Sequence, residues 1–398
     1  MKSRNTKVCI VGSSKQFFSG ITTHTIFLAN ALSKRNQVSV ILLRNLLPRF
    51  LFPGREHVGK DQYSIDFNTS IDVYNGMNYN SPRSWLGAYK FLKRHRPDVI
   101  IILWWSSSVA HMQIFLKWVN RLGIRAKIIL EMHEVVDPLE ERILPIKIYS
   151  RVVGRLLIRR LDAYATQSST DRDKVIDVYH IGESMVHVVP VGLYEDYVQP
   201  MDQLQAKRAL GVEKEFVILY FGLIRHYKGV PYLVEAFNGV PSSIALRSRL
   251  LIVGEIWEES KVLQKMVDTS PYRSQITLVP QYVPDSMIPK YFSASDVIAL
   301  PYLRASGSGV AHIALPYGKP IILSDVPALR ESLGDYPGSI FVKPGDPVSI
   351  RDNLVSVYEA MESGKDMHYH SFHYTWDDIA RQYEKIIEHL VSEQETTK

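Results

Sequence analysis

The sequence has little cysteine and no long apolar run, and each shortage excludes a class of protein. Cys9 is the single cysteine among 398 residues, so the chain has no internal disulfide and suits a reducing compartment. It stands in the apolar run 8–11, which favours a buried side chain over a reactive thiol. The longest apolar stretch, residues 99–105, is much shorter than the roughly 18 residues of a membrane-spanning helix. We therefore expect a soluble, cytoplasmic protein.

Excess charge is also small, although it is unevenly distributed. Lysine and arginine number 47 against 41 acidic residues, which leaves a net charge of +6. This excess is too dispersed for a nucleic-acid-binding protein, so we expect no nucleic-acid partner. Residues 1–200 carry 27 basic and 17 acidic side chains, whereas residues 201–398 carry 20 and 24. This asymmetry indicates two parts that face different partners.

Short apolar runs alternate with amphipathic stretches along nearly the whole chain. The runs in the first half, predicted as buried strands, are 7–12, 37–43, 98–105, 127–131, 163–166 and 187–189. After prolines 190 and 200 the alternation restarts, with predicted strands at 216–221, 250–253, 276–278, 297–300 and 320–323. Strand and helix in this rhythm predict an α/β fold with two parallel, helix-covered sheets.

The same alternation divides the chain into two Rossmann-like domains. We predict a first domain at 1–192 and a second domain at 200–375. A final helix within 376–398 is expected to return to the first domain and to end in a frayed tail. Because ligands bind beyond the carboxyl ends of strands in such sheets, we expect the active site in the interdomain cleft.

Two strand-end loops of the second domain have residues suited to a phosphorylated ligand. The loop 221–229 contains Gly222, Arg225 and Lys228 and leads into a helix near Gly229. Two cations and a helix N-terminus match a diphosphate, although two solvated side chains at a helix start explain them equally well. The loop 305–310 is rich in glycine and serine, so its backbone amides are accessible to a ligand. It lacks the P-loop lysine, which excludes a nucleoside triphosphatase of that kind.

The first domain contributes two further strand-end segments. Residues 12–14, followed by Ser19 and Gly20, lack the three-glycine spacing of a dinucleotide site, so NAD binding is weakly supported. The segment 131–137 leaves a strand and places His133 beside carboxylates. A histidine at this position is a candidate for acid–base chemistry, with a purely structural role as the alternative.

Taken together and in order, these motifs resemble the retaining, nucleotide-sugar-dependent glycosyltransferases of family 4, which have the GT-B fold. The resemblance covers nearly the whole chain, and it implies that 1–192 is the acceptor-side domain and that 200–375 is the nucleotide-sugar-binding domain. The motifs that carry it are Ser19-Gly20, the His133 strand end, Val188-Val189-Pro190-Val191-Gly192, residues 222–229 with 233–237, Ile252-Val253-Gly254, Ala294-Ser295-Asp296-Val297 and residues 301–325.

By this resemblance, Arg225 and Lys228 grip the donor diphosphate and His133 reaches the transferred sugar, so these three are the predicted catalytic residues. Gly20 would lie near the donor phosphates or the acceptor, and residues 281–283 would pass the nucleobase. The implied donor-binding residues are Gly20, Gly222, Arg225, Lys228, Gly254, Tyr282, Val283, Ser306, Gly307, Ser308, Gly309 and Val310. The resemblance implies a nucleotide-diphosphate sugar as co-substrate, with no cofactor and no metal.

One departure from the family pattern affects the functional prediction. Family members commonly carry two glutamates eight positions apart after the residue equivalent to Pro301, and this chain has Ala305 and Ile313 there. We predict sugar transfer to a cell-envelope polysaccharide, glycolipid or glycan. A sugar-phosphate synthase of the same fold and a non-catalytic nucleotide-sugar-binding subunit remain alternatives, and a Rossmann oxidoreductase is least favoured.

A basic stripe on a first-domain helix suggests a further partner. Lys147, Arg151, Arg155 and Arg159 recur every fourth residue of the predicted helix 146–160, opposite an apolar side. The stripe is either a solvated face or a contact with an anionic membrane surface or a lipid-diphosphate acceptor. A membrane contact would make the protein peripheral at the inner face of the plasma membrane.

Two metal-like patterns have simpler explanations. Asp171-Arg172-Asp173 spells an Asp-x-Asp metal signature, but we interpret it as the acidic first turn of a helix capped by Thr170. His368, His370 and His373 alternate with aromatic residues, which is typical of an extended and partly buried chain rather than a metal site.

Overall fold

The computed structural model describes residues 5–16, 20–46, 65–106, 109–133, 144–194, 201–213, 215–257, 260–305, 307–370 and 374–396. The chain divides into two compact units. Unit 1 comprises Met1–Gly192 together with Tyr374–Lys398, and unit 2 comprises Leu193–His373.

Unit 1 is built on a seven-stranded parallel sheet with the order β3-β2-β1-β4-β5-β6-β7. Its strands are β1 (Lys7–Ser13), β2 (Gln37–Asn45), β3 (Asp72–Asn78), β4 (Val99–Trp104), β5 (Lys127–Met132), β6 (Ala163–Thr166) and β7 (Val186–Val188). Its helices are α1 (Gly20–Ser33), α2 (Pro82–His95), α3 (Ala110–Val119), α4 (Leu144–Ile158) and α5 (Ser169–Tyr179), and a π-helical turn, Asn120–Ile124, follows α3.

Unit 2 repeats this plan with a six-stranded parallel sheet of order β10-β9-β8-β11-β12-β13. Its strands are β8 (Phe216–Phe221), β9 (Ser248–Val253), β10 (Ile276–Val279), β11 (Val297–Leu300), β12 (Ile321–Ser324) and β13 (Ser339–Val342). Its helices are α6 (Gln203–Leu210), α7 (Val230–Asn238), α8 (Ser242–Ala245), α9 (Ser260–Asp268), α10 (Ile288–Ala294), α11 (Gly309–Ala314), α12 (Pro327–Leu333) and α13 (Pro347–Glu362).

The central strands are buried on both faces, as their continuous apolar sequences predict. All six residues of β4 and all six of β8 are buried. Cys9 of β1 is fully buried, and burial raises the pKa of its thiol to about 12. The prediction of two parallel-sheet α/β units is confirmed.

Two strands, β3 and β13, escaped the sequence analysis, and each lies at one edge of its sheet. β3 is largely exposed and reads Asp-Val-Tyr-Asn-Gly-Met-Asn, so it has no apolar run. β13 is only four residues long and mostly half-buried. Each of these two strands has only one fully buried residue, which leaves little hydrophobic pattern to detect.

One predicted helix cap is wrong. The helix that contains Asp171 begins at Ser169, and Ser168 rather than Thr170 is its N-cap, because the Ser168 hydroxyl accepts the backbone N–H of Asp171 at 3.0 Å. Asp171 does lie in the first turn, where a carboxylate is favourable.

The last helix, α14 (Trp376–Thr396), belongs to unit 1 and packs against α1. Trp376 stacks on Phe27 of α1 with ring centroids 5.4 Å apart. Arg35, just after α1, bonds Asp377 at 2.6 Å and Glu384 at 2.9 Å on the same helix. No helix within the described ranges is long and apolar enough to cross a membrane.

Candidate functional site

The centre of the unit 2 sheet brings two candidate loops to one place. β8 and β11 are neighbours there, and the order of strands along the chain reverses between them. In open parallel sheets the ligand crevice forms at this reversal, beyond the carboxyl ends of the strands. The loop 222–229 follows β8 and the loop 301–308 follows β11, so both predicted phosphate loops lie at the reversal.

Gly229 holds these two loops against each other. It has a left-handed backbone, with φ of 66°, and a Cβ there would lie 1.9 Å from the carbonyl oxygen of Pro301. Only glycine fits both the conformation and the approach. Gly229 precedes α7 as its N-cap, and Pro231 in the first turn has no N–H, so this helix end offers fewer amides than expected.

Gly222 and Gly254 form a second close approach, between the ends of β8 and β9. Both have positive φ, and a Cβ on Gly254 would lie 1.9 Å from the Gly222 carbonyl oxygen. The two predicted donor-binding glycines therefore keep this end of the sheet free of side chains.

The two predicted cations of the loop lie over aromatic rings. The Lys228 ammonium is 3.6 Å from the centre of the Tyr302 ring, and the Arg225 guanidinium lies over Tyr227 at 5.4 Å and Trp257 at 5.6 Å. Cation–π contacts of this kind hold a positive group in place without neutralising its charge. Both cations are only partly buried, so they can reach a ligand.

The sequence analysis missed the aromatic residues and a third cation at this site. Arg304 lies over Tyr227 at 5.5 Å, on the face of the loop after β11. Tyr302 is fully buried, burial raises the pKa of its hydroxyl to about 12, and the hydroxyl lies 3.2 Å from Ser308 Oγ. Of these aromatic residues only Tyr227 stands within the loop itself; Tyr302 and Trp257 come from other strand ends, so the local motif gave no signal for them.

The glycine- and serine-rich loop leads directly into α11. Ser308 is the N-cap of that helix, and its hydroxyl accepts the backbone N–H of Ala311. Gly307, Gly309 and Val310 surround it, whereas Ser306 lies outside the described residues. Val310 also faces Gly222: a Cβ on that glycine would lie 3.1 Å from the valine side chain.

The predicted nucleobase segment follows β10. Val283 is buried and Tyr282 is partly buried, with its hydroxyl 3.2 Å from the carboxylate of Asp285. Ala305 and Ile313, which replace the usual family glutamates, are both partly buried.

In unit 1, His133 belongs to a buried polar cluster. It follows β5, and its Nε2 lies 3.2 Å from the Glu131 carboxylate. Its Nδ1 meets the Gln167 side-chain amide at 2.7 Å, and its side chain is only 9% exposed. His24 of α1 approaches the same carboxylate at 2.7 Å. Sequence analysis identified His133 but missed His24 and Gln167, which come from other elements.

Glu131 is the centre of this cluster. It is buried, and the Tyr383 hydroxyl of α14 donates to its second oxygen at 2.5 Å. Burial alone would raise the pKa of Glu131, but the adjacent His24 and His133 hold it well below its usual range. Glu131 therefore stays ionised and is compensated inside unit 1.

His24, Glu131 and His133 have potential ligand atoms within 4.8 Å of one another, which is compatible with a metal ion. Direct pairing already accounts for their arrangement, since the carboxylate meets both imidazoles and a phenol. The expectation of no metal remains a prediction.

Among the described residues, the other predicted site residues of unit 1 are outside the polar cluster around Glu131. Gly20 begins α1, is exposed, and has nothing within 4 Å of an added Cβ. Of the predicted basic stripe, Arg155 on α4 and Arg159 just after the end of α4 are exposed, whereas the side chains of Lys147 and Arg151 lie outside the described residues.

Comparison with known proteins covers both units. The model of the family described as Glycosyltransferase Family 4 matches residues 18–196, and that of Glycosyl transferases group 1 matches residues 202–372. The chain belongs to glycosyltransferase family 4. Its two units have the GT-B fold that this resemblance implied.

Individual relatives of this family 4 chain are distant. A GDP-mannose:glycolipid 4-beta-D-mannosyltransferase of Xanthomonas campestris is 28% identical over 159 residues, which is 39% of this chain and 42% of that protein. The chain spans about half the length of the curated relatives it matches.

Solved structures of the same fold align over almost the whole chain. Sucrose-phosphate synthase from Thermosynechococcus elongatus is 15% identical, with a TM-score of 0.73 over 97% of this chain and 99% of its own. HepE of Anabaena, in complex with UDP and glucose, is also 15% identical, with a TM-score of 0.66 over 98% and 99%.

Proposed function

We propose that this protein transfers a sugar, with retention, from a nucleotide-diphosphate sugar to a glycan, glycolipid or cell-envelope polysaccharide. The observation that carries the proposal is the placement of Arg225 and Lys228 at the strand-order reversal of unit 2. Family 4 membership supports it, as does the UDP and glucose bound by the structurally similar HepE.

The proposed chemistry follows from where charge develops. Breaking the bond between the anomeric carbon and the phosphate oxygen leaves negative charge on the diphosphate and positive charge on the sugar. Arg225 and Lys228 are held by their aromatic neighbours before the ligand arrives, so they need not reorganise as the negative charge grows. They would therefore stabilise the transition state more than the bound donor.

Retention follows if the acceptor attacks from the face that the diphosphate leaves. In that step the acceptor oxygen bonds to the anomeric carbon, and the departing phosphate oxygen takes the acceptor's proton. The diphosphate is then released with the proton, and no protein nucleophile is required.

His133 is proposed to meet the transferred sugar from unit 1. Because Glu131 and Gln167 engage its two ring nitrogens, it would do so through its main chain or by giving up one of these contacts. Gly20, which is exposed and uncrowded, would allow a substrate to approach the start of α1.

The acceptor is proposed to bind to unit 1, which is the more basic of the two units. Arg155 is exposed on α4 and Arg159 is exposed just after it; both favour an anionic surface, which fits the glycolipid acceptor named for the Xanthomonas relative. This would place the protein at the inner face of the plasma membrane.

Two alternative functions are each supported by one specific observation. The fold similarity to sucrose-phosphate synthase supports a synthase that makes a small phosphorylated sugar. Ala305 and Ile313, where glutamates are usual, support a nucleotide-sugar-binding subunit without catalysis.

A screen of UDP-, GDP- and ADP-sugars by thermal shift, followed by assay of released nucleotide, tests these functions. We expect one donor to raise the melting temperature and to release its nucleotide when acceptor is supplied. Binding without release under any acceptor would favour the non-catalytic subunit. Transfer only to a soluble sugar phosphate would favour the synthase.

A further inference from the structure

A pocket of about 800 Å³ opens on unit 1 between α3 and the end of α4. It is separate from the residues assigned above to donor binding. Its lining contains five basic side chains and one acidic side chain. The basic residues are Lys117, Arg121, Arg125, Arg159 and Arg160.

The single carboxylate of the pocket is already engaged elsewhere. Asp162 lies 3.1 Å from Lys127 and accepts the backbone N–H of Ile128 at 2.8 Å. Within the described part of the chain, no carboxylate pairs with Arg121, Arg159 or Arg160. The pocket therefore has a net positive charge that its own residues do not neutralise.

Lys117 neutralises the negative end of the α4 helix dipole beside the pocket. Its ammonium donates to the carbonyl oxygens of Leu156, Leu157 and Arg159, at the carboxyl end of α4. These carbonyls form the negative pole of the helix dipole. Burial, and to a smaller extent the charges of Arg121, Arg159 and Arg160, lower the pKa of Lys117 to about 8.

Two of the arginines have strained backbone conformations. Arg125 and Arg160 have φ of 63° and 57°, in the left-handed region where glycine or asparagine is preferred. Each follows the end of a helical segment, where glycine would be the least strained choice. An arginine in each of these places adds positive charge to the pocket rim.

Large apolar side chains surround the same opening. Trp118 and Leu156 line the pocket and are 59% and 56% exposed, and Leu122, one turn beyond Trp118, is 63% exposed. Exposed apolar groups next to a concentrated positive charge match the interface of a bilayer, where phosphate groups lie above acyl chains. A soluble phosphate would use the arginines but not these side chains.

We propose that this pocket binds the phosphate of an anionic lipid headgroup, while Trp118, Leu122 and Leu156 enter the interfacial layer. The purpose of this attachment, to hold unit 1 beside a lipid-linked acceptor, rests on the proposed function. The binding itself does not, because it needs neither donor nor catalysis.

Vesicle co-sedimentation of the full chain at low salt tests the proposal. The vesicles contain phosphatidylcholine alone or mixed with phosphatidylglycerol. We expect binding to the mixed vesicles and a loss of about tenfold or more in the double variant Arg121→Glu/Arg159→Glu. The matched control, Lys90→Glu/Lys93→Glu, makes the same charge change at exposed positions of α2 and should retain most of the binding.

Two further measurements test whether vesicle binding depends on this pocket rather than on nonspecific charge attraction, and whether the pocket binds a soluble phosphate instead of a lipid. Trp118→Ser should weaken vesicle binding without changing the charge. Calorimetry with glycerol 3-phosphate should give no saturable binding. Equal loss in the α2 control, no preference for phosphatidylglycerol, or tight binding of glycerol 3-phosphate would each overturn the proposal.

UDP, GDP and ADP binding measured on the same variants distinguishes this proposal from the proposed function. Normal nucleotide binding with lost vesicle binding supports the lipid site. Vesicle binding in a protein that binds no nucleotide would overturn the proposed function and leave the lipid site standing.

Discussion

The Tyr383 hydroxyl donates a hydrogen bond to the buried carboxylate of Glu131 at 2.5 Å, across 252 residues of sequence. This contact joins α14 to the end of β5, beside the predicted catalytic histidine. Glu131 is ionised there and also faces His24 and His133, so the phenol is one of three groups that stabilise its charge, and its loss is expected to lower stability.

Tyr383→Phe should therefore lower the free energy of unfolding by about 1–3 kcal/mol, because it leaves a buried carboxylate oxygen without its donor. Urea denaturation followed by circular dichroism measures the change. Tyr358→Phe is the matched control: Tyr358 is buried, and no hydrogen bond to its hydroxyl is found among the described residues. Equal effects in the two variants would contradict the role assigned to the contact.

Gly229→Ala should destabilise the protein much more than Gly211→Ala. Both glycines have left-handed backbones, with φ of 66° and 70°, so each alanine incurs about 1 kcal/mol of strain. Only at Gly229 would the new Cβ also meet a backbone atom, the Pro301 carbonyl oxygen. Thermal denaturation of the two variants compares them, and similar melting temperatures would show that the β8 and β11 loops are not packed as described.

Lys228→Ala should reduce turnover by about 10- to 100-fold, which corresponds to the loss of one charge-assisted hydrogen bond of roughly 1.5–3 kcal/mol in the transition state. Folding should change little, because the ammonium is only partly buried. Lys265→Ala, at an exposed position of α9, is the control and should keep full activity. An unchanged rate in Lys228→Ala would remove this residue from the proposed mechanism.

The pH dependence of stability should report the contact between Arg35 and Asp377. The hydrogen bond from Arg35 holds the pKa of Asp377 below its usual value. A carboxylate whose pKa is lower in the folded state stabilises the protein above its unfolded pKa, and this contribution disappears as the pH falls through the folded pKa.

Arg35→Met should accordingly cost about 1 kcal/mol near neutral pH, and its difference from the parent should close below roughly pH 4. Arg94→Met, which removes an exposed contact with Asp72 at 3.8 Å, should have a smaller effect. Chemical denaturation across this pH range measures both. A difference that persisted undiminished in acid would mean that Arg35 acts by packing rather than by its charge.

Burial explains which strands could be predicted from the sequence. β4 and β8 are enclosed on both faces, so every residue is apolar and the run is unmistakable. β3 and β13 have only one fully buried residue each, so their hydrophobic pattern is weak. The same reasoning identified the loops after β8 and β11, because glycines and cations directly follow enclosed strands.

The partners of the site residues were harder to predict. Arg225 and Lys228 were identified from a local motif, but Tyr302 and Trp257 reach them from other strand ends. His133 was identified from its place after β5, whereas His24 and Tyr383 come from α1 and α14. Contacts between distant segments leave no periodic signal in one sequence, so the buried cluster around Glu131 became evident only in the structure.

The central claim is that Arg225 and Lys228 bind the diphosphate of a nucleotide sugar. Isothermal titration calorimetry with UDP, GDP, ADP and NAD tests it most directly. We predict that one nucleoside diphosphate binds with micromolar affinity, and that Lys228→Ala weakens this binding about tenfold or more while Lys265→Ala does not. Binding of NAD alone, or of a diphosphate with equal affinity in both variants, would contradict the claim.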